Sequence, residues 1–187
     1  MIYLTKSKNV RRIALVGILG AQGLALAWLE SLLPAFPFLP PGAKPGLSNI
    51  VTMFTVSAIG LPDAFFIVLL KAGFAGITRG FTAFWMSLCG GTVSMLVMWL
   101  LLKKLKNNPL GLIGTGVCCA LGHNLGQLIA AAILTDTVTL IGYAPVLAVF
   151  GVLTGIVTGC VFKAVSPLLI KISKHFVSNP KSTEETN

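Results

Sequence analysis

The sequence predicts an all-α integral membrane protein, a compact bundle of about six transmembrane helices with both termini cytoplasmic, and three observations carry that prediction. Of 187 residues, 55% are hydrophobic and only 10% charged, with a mean hydropathy of +0.90; soluble domains carry roughly a quarter charged residues. The apolar residues fall into runs near the roughly 20 residues that a spanning helix needs, so the chain holds about six spans and no separate catalytic domain. The basic clusters Lys6 to Arg12, Lys103 to Lys106 and Lys163 to Lys181 all fall on one side of a six-helix path, and basic flanks mark the cytoplasmic side. The net charge of +9 sits at the ends of apolar runs and forms no continuous stripe, which argues against nucleic-acid binding.

Helix 1 is expected from about Arg12 to Leu33, ending before the proline-rich loop Pro34 to Gly46. Ala25-Leu26-Ala27 resembles a signal-peptidase site, but the rest of the chain is equally apolar, and a retained first helix is the simpler reading. Helix 2, Leu47 to Ile59, is short for a span; Gly60-Leu61-Pro62-Asp63 makes a turn in which Asp63 is expected to cap helix 3, which runs to Arg79. Helix 4 covers Thr82 to Leu102, Asn107-Asn108-Pro109 turns the chain, and helix 5 covers Leu110 to Leu134. The last helix begins near Tyr143 or Pro145 and runs to about Ala164, with a basic amphipathic extension past Pro167. Residues 1–177 thus form one transmembrane domain, followed by a polar tail, 178–187, of disordered composition. No long internal repeat supports an inverted-repeat transporter.

Polar residues are costly at membrane depth, where a charge near the centre costs about 2.5 to 3.5 kcal/mol even on lenient scales. Asn49, Lys71, Arg79, His123, Asn124 and Gln127 all fall toward the outer half. At about 100° per residue the last three share one helical face. A shared polar cavity would satisfy them. Its charges, Lys44, Lys71, Arg79 and His123 against Glu30 and Asp136, favour an anionic or zwitterionic small molecule. The plainer alternative is interhelical hydrogen bonding by Asn124 and Gln127, with the cations snorkelling to an interface. Cys89, Cys118, Cys119 and Cys160 lie in apolar runs without metal-ligand spacing and read as packing residues; neither metal nor cofactor is expected.

On helix 1, Gly17, Ala21 and Ala25 repeat every four residues, so one face lets another helix approach closely, either in this bundle or on a partner. Gly73, Gly76 and Gly80 on helix 3 suggest a similar, internal face.

The segments PGAKPGLSNIVTMF (Pro41 to Phe54), SLCGG (Ser87 to Gly91) and GHNLGQL (Gly122 to Leu128) resemble the Gx transporter family, often labelled heptaprenyl diphosphate synthase component I. That family is similar in size and hydropathy to the substrate-binding S components of energy-coupling-factor transporters. The spacing of Ala21 and Ala25 resembles the one such proteins set against their transmembrane coupling subunit. Lys71 departs from the arginine expected there, which keeps the charge but loses a bidentate fork. The resemblance implies a substrate-binding subunit of a small-solute uptake transporter in the bacterial cytoplasmic membrane. A coupling subunit and ATPases would act in trans, because the chain has no Walker A motif. The alternatives are a non-catalytic accessory subunit of isoprenoid or quinone metabolism, binding a prenyl-lipid headgroup, and a self-sufficient secondary transporter. Asp63 and Asp136 are the only aspartates and no DDxxD occurs, so the chain is not expected to perform prenyl elongation, which needs magnesium held by aspartate clusters. Proton coupling would need an intramembrane carboxylate, and Glu30 and Asp136 both look too peripheral for it.

Overall fold

A computed structural model describes residues 2–32, 46–104 and 110–177. It is all-helical, with α1 (Ile2–Leu32), α2 (Asn49–Ala58), α3 (Leu61–Arg79), α4 (Phe81–Lys104), α5 (Gly111–Thr135) and α6 (Ala144–Val177). A 3-10 turn, Val138–Tyr143, joins α5 to α6. Among the described residues five helices are long and apolar enough to cross a membrane; α2 is apolar but has 10 residues, about 15 Å of rise. The expected loop from Pro34 to Gly46, except Gly46 itself, the Asn107 to Pro109 turn and the tail from Ser178 lie outside the described residues.

The five long helices close a ring in the order α1, α3, α4, α5, α6, and α2 stands inside it against α1, α3, α4 and α6. This explains a helix without a polar face: Val51, Thr52, Met53, Phe54, Thr55 and Val56 are buried in succession. An all-round apolar helix is stable only where every side meets protein. Its two ends fix its depth. Glu30, near the end of α1, accepts the Ser48 N–H at 2.7 Å, and the chain reverses at Gly60 (φ 145°) into α3, whose Asp63 pairs with Arg12 near the start of α1. The short α2 therefore still carries the chain from one end of the ring toward the other.

Several boundaries differ from the expected ones. α1 begins at Ile2, ten residues before Arg12, because the basic stretch continues the helix. Asp63 is not the cap of α3: Gly60 holds that position, Pro62 stands in the first turn, and the Asp63 carboxylate is taken by Arg12. The extension expected past Pro167 is present: α6 runs through that proline to Val177 as one helix. α5 ends at Asp136 in the left-handed conformation (φ 48°), its N–H returning to the Ala132 carbonyl. The clusters at Arg11 and Arg12, Lys103 and Lys104, and Lys163 and Lys171 fall at one end of the bundle, here called the basic end. Glu30, Ser48 and Arg79 lie toward the other.

Candidate functional site

A polar cavity opens toward the end opposite the basic one. Because successive helices alternate in direction, it is built from the end of α1 (Ala27, Glu30), the entry to α2 (Gly46, Ser48), the second half of α3 (Lys71, Arg79), the start of α4 (Ala83, Met86, Ser87) and the middle of α5 (His123, Gln127). Only about 20 Å³ of it admits the centre of a water molecule, about the space one water requires. The walls have closed on themselves.

Two hydrogen-bonded pairs and one carboxylate organise these walls. Lys71, 6% exposed, donates from Nζ to Asn49 Oδ1 at 2.8 Å, so an ammonium on α3 is seated on the first turn of α2. His123 Nε2 and Gln127 Nε2 are 2.7 Å apart, one turn apart on α5, a contact that requires the imidazole to accept there as drawn. Glu30, 5% exposed, is hydrogen-bonded to the Ser48 N–H and acts electrostatically on both Lys71 and Arg79. A buried carboxylate flanked by a lysine and an arginine meets the requirement that buried charges be paired. Gln127 Oε1 and His123 Nδ1 are buried without hydrogen-bond partners, although the backbone of Gly90 lies alongside the ring.

Two glycines bring α5 this close to α4. A Cβ on Gly126 would stand 2.8 Å from the Cys89 carbonyl oxygen, and one on Gly90 would stand 2.8 Å from the His123 carbonyl oxygen and 2.9 Å from its ring. At Gly126 every near obstacle is backbone, and at Gly90 the His123 carbonyl is joined by the side chains of His123 and Gln127 themselves. Across the cavity Gly46 (φ 80°) leaves room for the other edge of the imidazole, where a Cβ would stand 3.0 Å from His123 Cδ2. The SLCGG and GHNLGQL segments are thus one seam seen from its two sides.

Of the residues the sequence singles out, Lys71, Arg79, His123 and Gln127 line this cavity, and Asn49 holds Lys71 from behind. Lys44 lies outside the described residues. Asn124 is separated from the group: its Nδ2 donates to the Leu147 carbonyl at 2.8 Å, and it faces an apolar hollow between α5 and α6 lined by Leu121, Leu125 and Leu128. One position along a helix turns a side chain by about 100°, enough to aim His123 at the cavity and Asn124 at α6. Glu30, which looked peripheral, is buried in the cavity wall, whereas Asp136 is exposed. Gly46 was missed because a missing side chain leaves no polar signature in sequence, and Ser48, a polar residue beside Asn49, contributes through its backbone N–H, which the residue type does not reveal.

Among the described residues nothing covers the small face of α1. Gly17, Ala21 and Ala25 are exposed, and nothing lies within 4 Å of where a Gly17 Cβ would be, while Gly20 and Gly23, on the neighbouring face, meet Leu70 and Ile67 of α3. On α3, Gly76 packs on Phe84 as an internal contact, and Gly73 and Gly80 have open space.

Residues 19–165 match the family model described as heptaprenyl diphosphate synthase component I. No curated protein and no solved structure matches the chain.

Proposed function

Since the chain belongs to the heptaprenyl diphosphate synthase component I family, we propose a role suited to a membrane bundle with a buried polar cavity: it is the solute-capturing subunit of an uptake transporter, its cavity facing outward and receiving a small anionic or zwitterionic molecule. The observation that carries this reading is the buried Glu30 and Lys71, with the half-buried Arg79, around a cavity that also presents an unpartnered Gln127 Oε1. Buried charge near the middle of a membrane bundle is expensive, and a set that lines a cavity is most simply accounted for by a ligand. Outward orientation follows from the basic end, which the positive-inside rule puts in the cytoplasm. Transport energy would come from other chains, and the uncovered Gly17, Ala21 and Ala25 face of α1 is where a coupling subunit would lie.

A second reading, an accessory membrane component that holds a prenyl diphosphate headgroup, draws on the family's description and on the two cations. Catalysis by this chain has little support in the placement of its acids. Asp63 stands at the basic end, paired with Arg12, and Asp136 follows the far end of α5, so the two aspartates lie at opposite ends of the bundle and cannot hold one magnesium ion together.

Native mass spectrometry of the gently purified full-length protein separates the readings. A retained small polar solute, lost in Lys71→Met, is the expected result. A retained prenyl lipid would select the accessory role, and a solute retained equally by wild type and Lys71→Met would remove the cavity from the function.

A further inference from the structure

His123 and Gln127 are 5% and 4% exposed, and the 2.7 Å contact between their Nε2 atoms fixes more than their spacing. An amide nitrogen can only donate, so in this contact the imidazole nitrogen accepts and the ring proton sits on Nδ1. The far side of the ring agrees. With Nε2 taken by Gln127, the backbone alongside the ring is that of Gly90, in the interior of α4, where the amide N–H is spent on the helix and only the carbonyl oxygen has a lone pair to spare. Even a long approach of that oxygen favours a proton on Nδ1. Turning the amide over would set a Nδ1 lone pair against this carbonyl, so the wall supports the orientation as drawn. The ring is held in this attitude between Gly90 and Gly46, where a Cβ would stand 2.9 and 3.0 Å from its Cε1 and Cδ2. Gln127 Oε1 is thereby left as an acceptor on a residue that lines the cavity, buried and with no donor supplied to it.

We propose that Gln127 is a specificity-determining residue whose Oε1 accepts an N–H or O–H of the solute, so that the cavity takes acids carrying an amino, amide or hydroxyl group and discriminates against acceptor-only anions such as simple carboxylates. His123 is the positioning residue: it holds the amide by its nitrogen and so decides that the oxygen is offered. This rests on the cavity being the solute site, and it adds the hydrogen-bonding polarity of the ligand, which the cations Lys71 and Arg79 leave open. A solute with no donor at this point leaves a buried acceptor unpaired, at a cost of roughly ten- to hundredfold in affinity. A site built to bond a polar group rejects the analogue that lacks it for the same reason.

The test places a thiol in the cavity wall with Ser87→Cys in the full-length protein and measures its alkylation by peptide mass, so that the native cysteines need no replacement. Iodoacetamide and iodoacetone are uncharged and nearly equal in size, but only the first carries N–H donors; their rate ratio, normalised to a free thiol, gives the donor preference. Iodoacetate against iodoacetamide, normalised in the same way, gives the iodoacetate preference, which reports the cations. In the wild-type background iodoacetamide should be preferred to iodoacetone about three- to tenfold, and Gln127→Met, which keeps the length and removes the acceptor, should bring that ratio to about one. The ring is read separately. NMR of the ring nitrogens in isotope-labelled histidine, with the chain's other histidine removed by His175→Gln, should show the His123 proton on Nδ1.

Equal alkylation by iodoacetamide and iodoacetone in the wild-type background would overturn the proposal, as would a donor preference that survives Gln127→Met. Should Gln127→Met fail to fold, the wild-type ratio and the ring decide: a proton on Nε2 means that the amide is turned over and its oxygen spent on the imidazole, which overturns the proposal as well. If neither Arg79→Gln nor Lys71→Met alters the iodoacetate preference, the solute-site reading itself fails. A charge effect without a donor preference refutes only the role of Gln127.

Discussion

α1 and α3 are joined by opposite charges at both ends, and the two junctions differ in almost every respect. At the basic end Arg12 of α1 meets Asp63 of α3, with side chains 50% and 16% exposed. About 27 Å further along α1, by its helical rise, the polarity is inverted: Glu30 of α1 faces Lys71 and Arg79 of α3, with Glu30 and Lys71 buried. The first junction sits in solvent or headgroups, where an ion pair adds little. The second is desolvated and surrounds a cavity. Opposite charges across two helices therefore do not mark a function by themselves; burial and an unfilled neighbour do. The predictions below break or sharpen that contrast, taken from the largest expected effect to the smallest.

Breaking the buried junction should have the largest effect. Lys71→Met leaves Glu30 short of one partner and Asn49 Oδ1 without its donor, and should destabilise the protein by about 3 to 5 kcal/mol, read as the shift of unfolding in a mild-detergent denaturant titration. The double variant Glu30→Gln with Lys71→Met removes both charges and should recover much of the loss. A double variant as unstable as the sum of the two singles would show that these groups are not coupled, and would undo the contrast.

The seam that delivers His123 and Gln127 should come next. Gly126→Ala places a methyl against the backbone of Cys89 and Gly90, and overpacking of this kind commonly costs about 1 to 3 kcal/mol. Gly73→Ala, where nothing lies within 4 Å, should change stability by no more than about 0.5 kcal/mol. If both substitutions are equally mild, α4 and α5 are not locked at this level and the His123 geometry is not imposed by the seam.

Asn124 sharpens the boundary of the site. Asn124→Leu removes the bond to the Leu147 carbonyl and should lower stability by about 1 to 3 kcal/mol. It should leave the iodoacetate preference at the Ser87→Cys thiol unchanged. A changed preference would return Asn124 to the cavity.

How much of this could be read from sequence depends on whether a residue's cost was visible locally. Lys71, His123 and Gln127 stand out because each is a polar group inside an apolar run, and the membrane makes that conspicuous. The helices were legible for the same reason; the start of α1 was set too late because the helix continues through a basic stretch, whereas the extension of the last helix past Pro167 was expected and is present. Glu30 was underrated because it lies near a helix end, where sequence position suggests exposure; the closed ring and the descent of the chain to Ser48 bury it instead. Asp63 has the composition of a cap, yet Arg12 claims it from 51 residues away, a pairing no local pattern reveals. The direction of Asn124 was lost because a face defined by a 100° arc is wide enough to meet two neighbours.

The face of α1 formed by Gly17, Ala21 and Ala25 tests whether exposure means a partner. Ala21→Leu and Ala25→Leu add bulk where the chain has no contact to lose, so stability of the isolated protein should move by no more than about 0.5 kcal/mol. Assembly with a coupling subunit, assayed by co-purification from the native membrane, should fall, because close helix approach depends on small side chains. Lost folding would place the stripe inside a contact of this chain, and unchanged co-purification would show that the face has no partner.

A small effect is also expected at the exposed junction. Asp63→Asn removes the charge facing Arg12 but leaves an amide oxygen that can still accept from the guanidinium, and Arg12 can extend into headgroups or water. An exposed pair is worth about 0 to 1 kcal/mol and is weakened by salt. The variant should therefore unfold within about 1 kcal/mol of wild type, with the difference shrinking as ionic strength rises, and its iodoacetate preference at the Ser87→Cys thiol should not change. A loss comparable to that of Lys71→Met would mean that this pair is as critical as the buried set, by fixing the depth of α2 through the turn at Gly60. The two junctions would then be one device, with the pairing at the basic end holding α2 at the height where Ser48 meets Glu30. Measuring Asp63→Asn together with Glu30→Gln decides between these cases: additive losses mean independent junctions, and a double variant no worse than the poorer single means one.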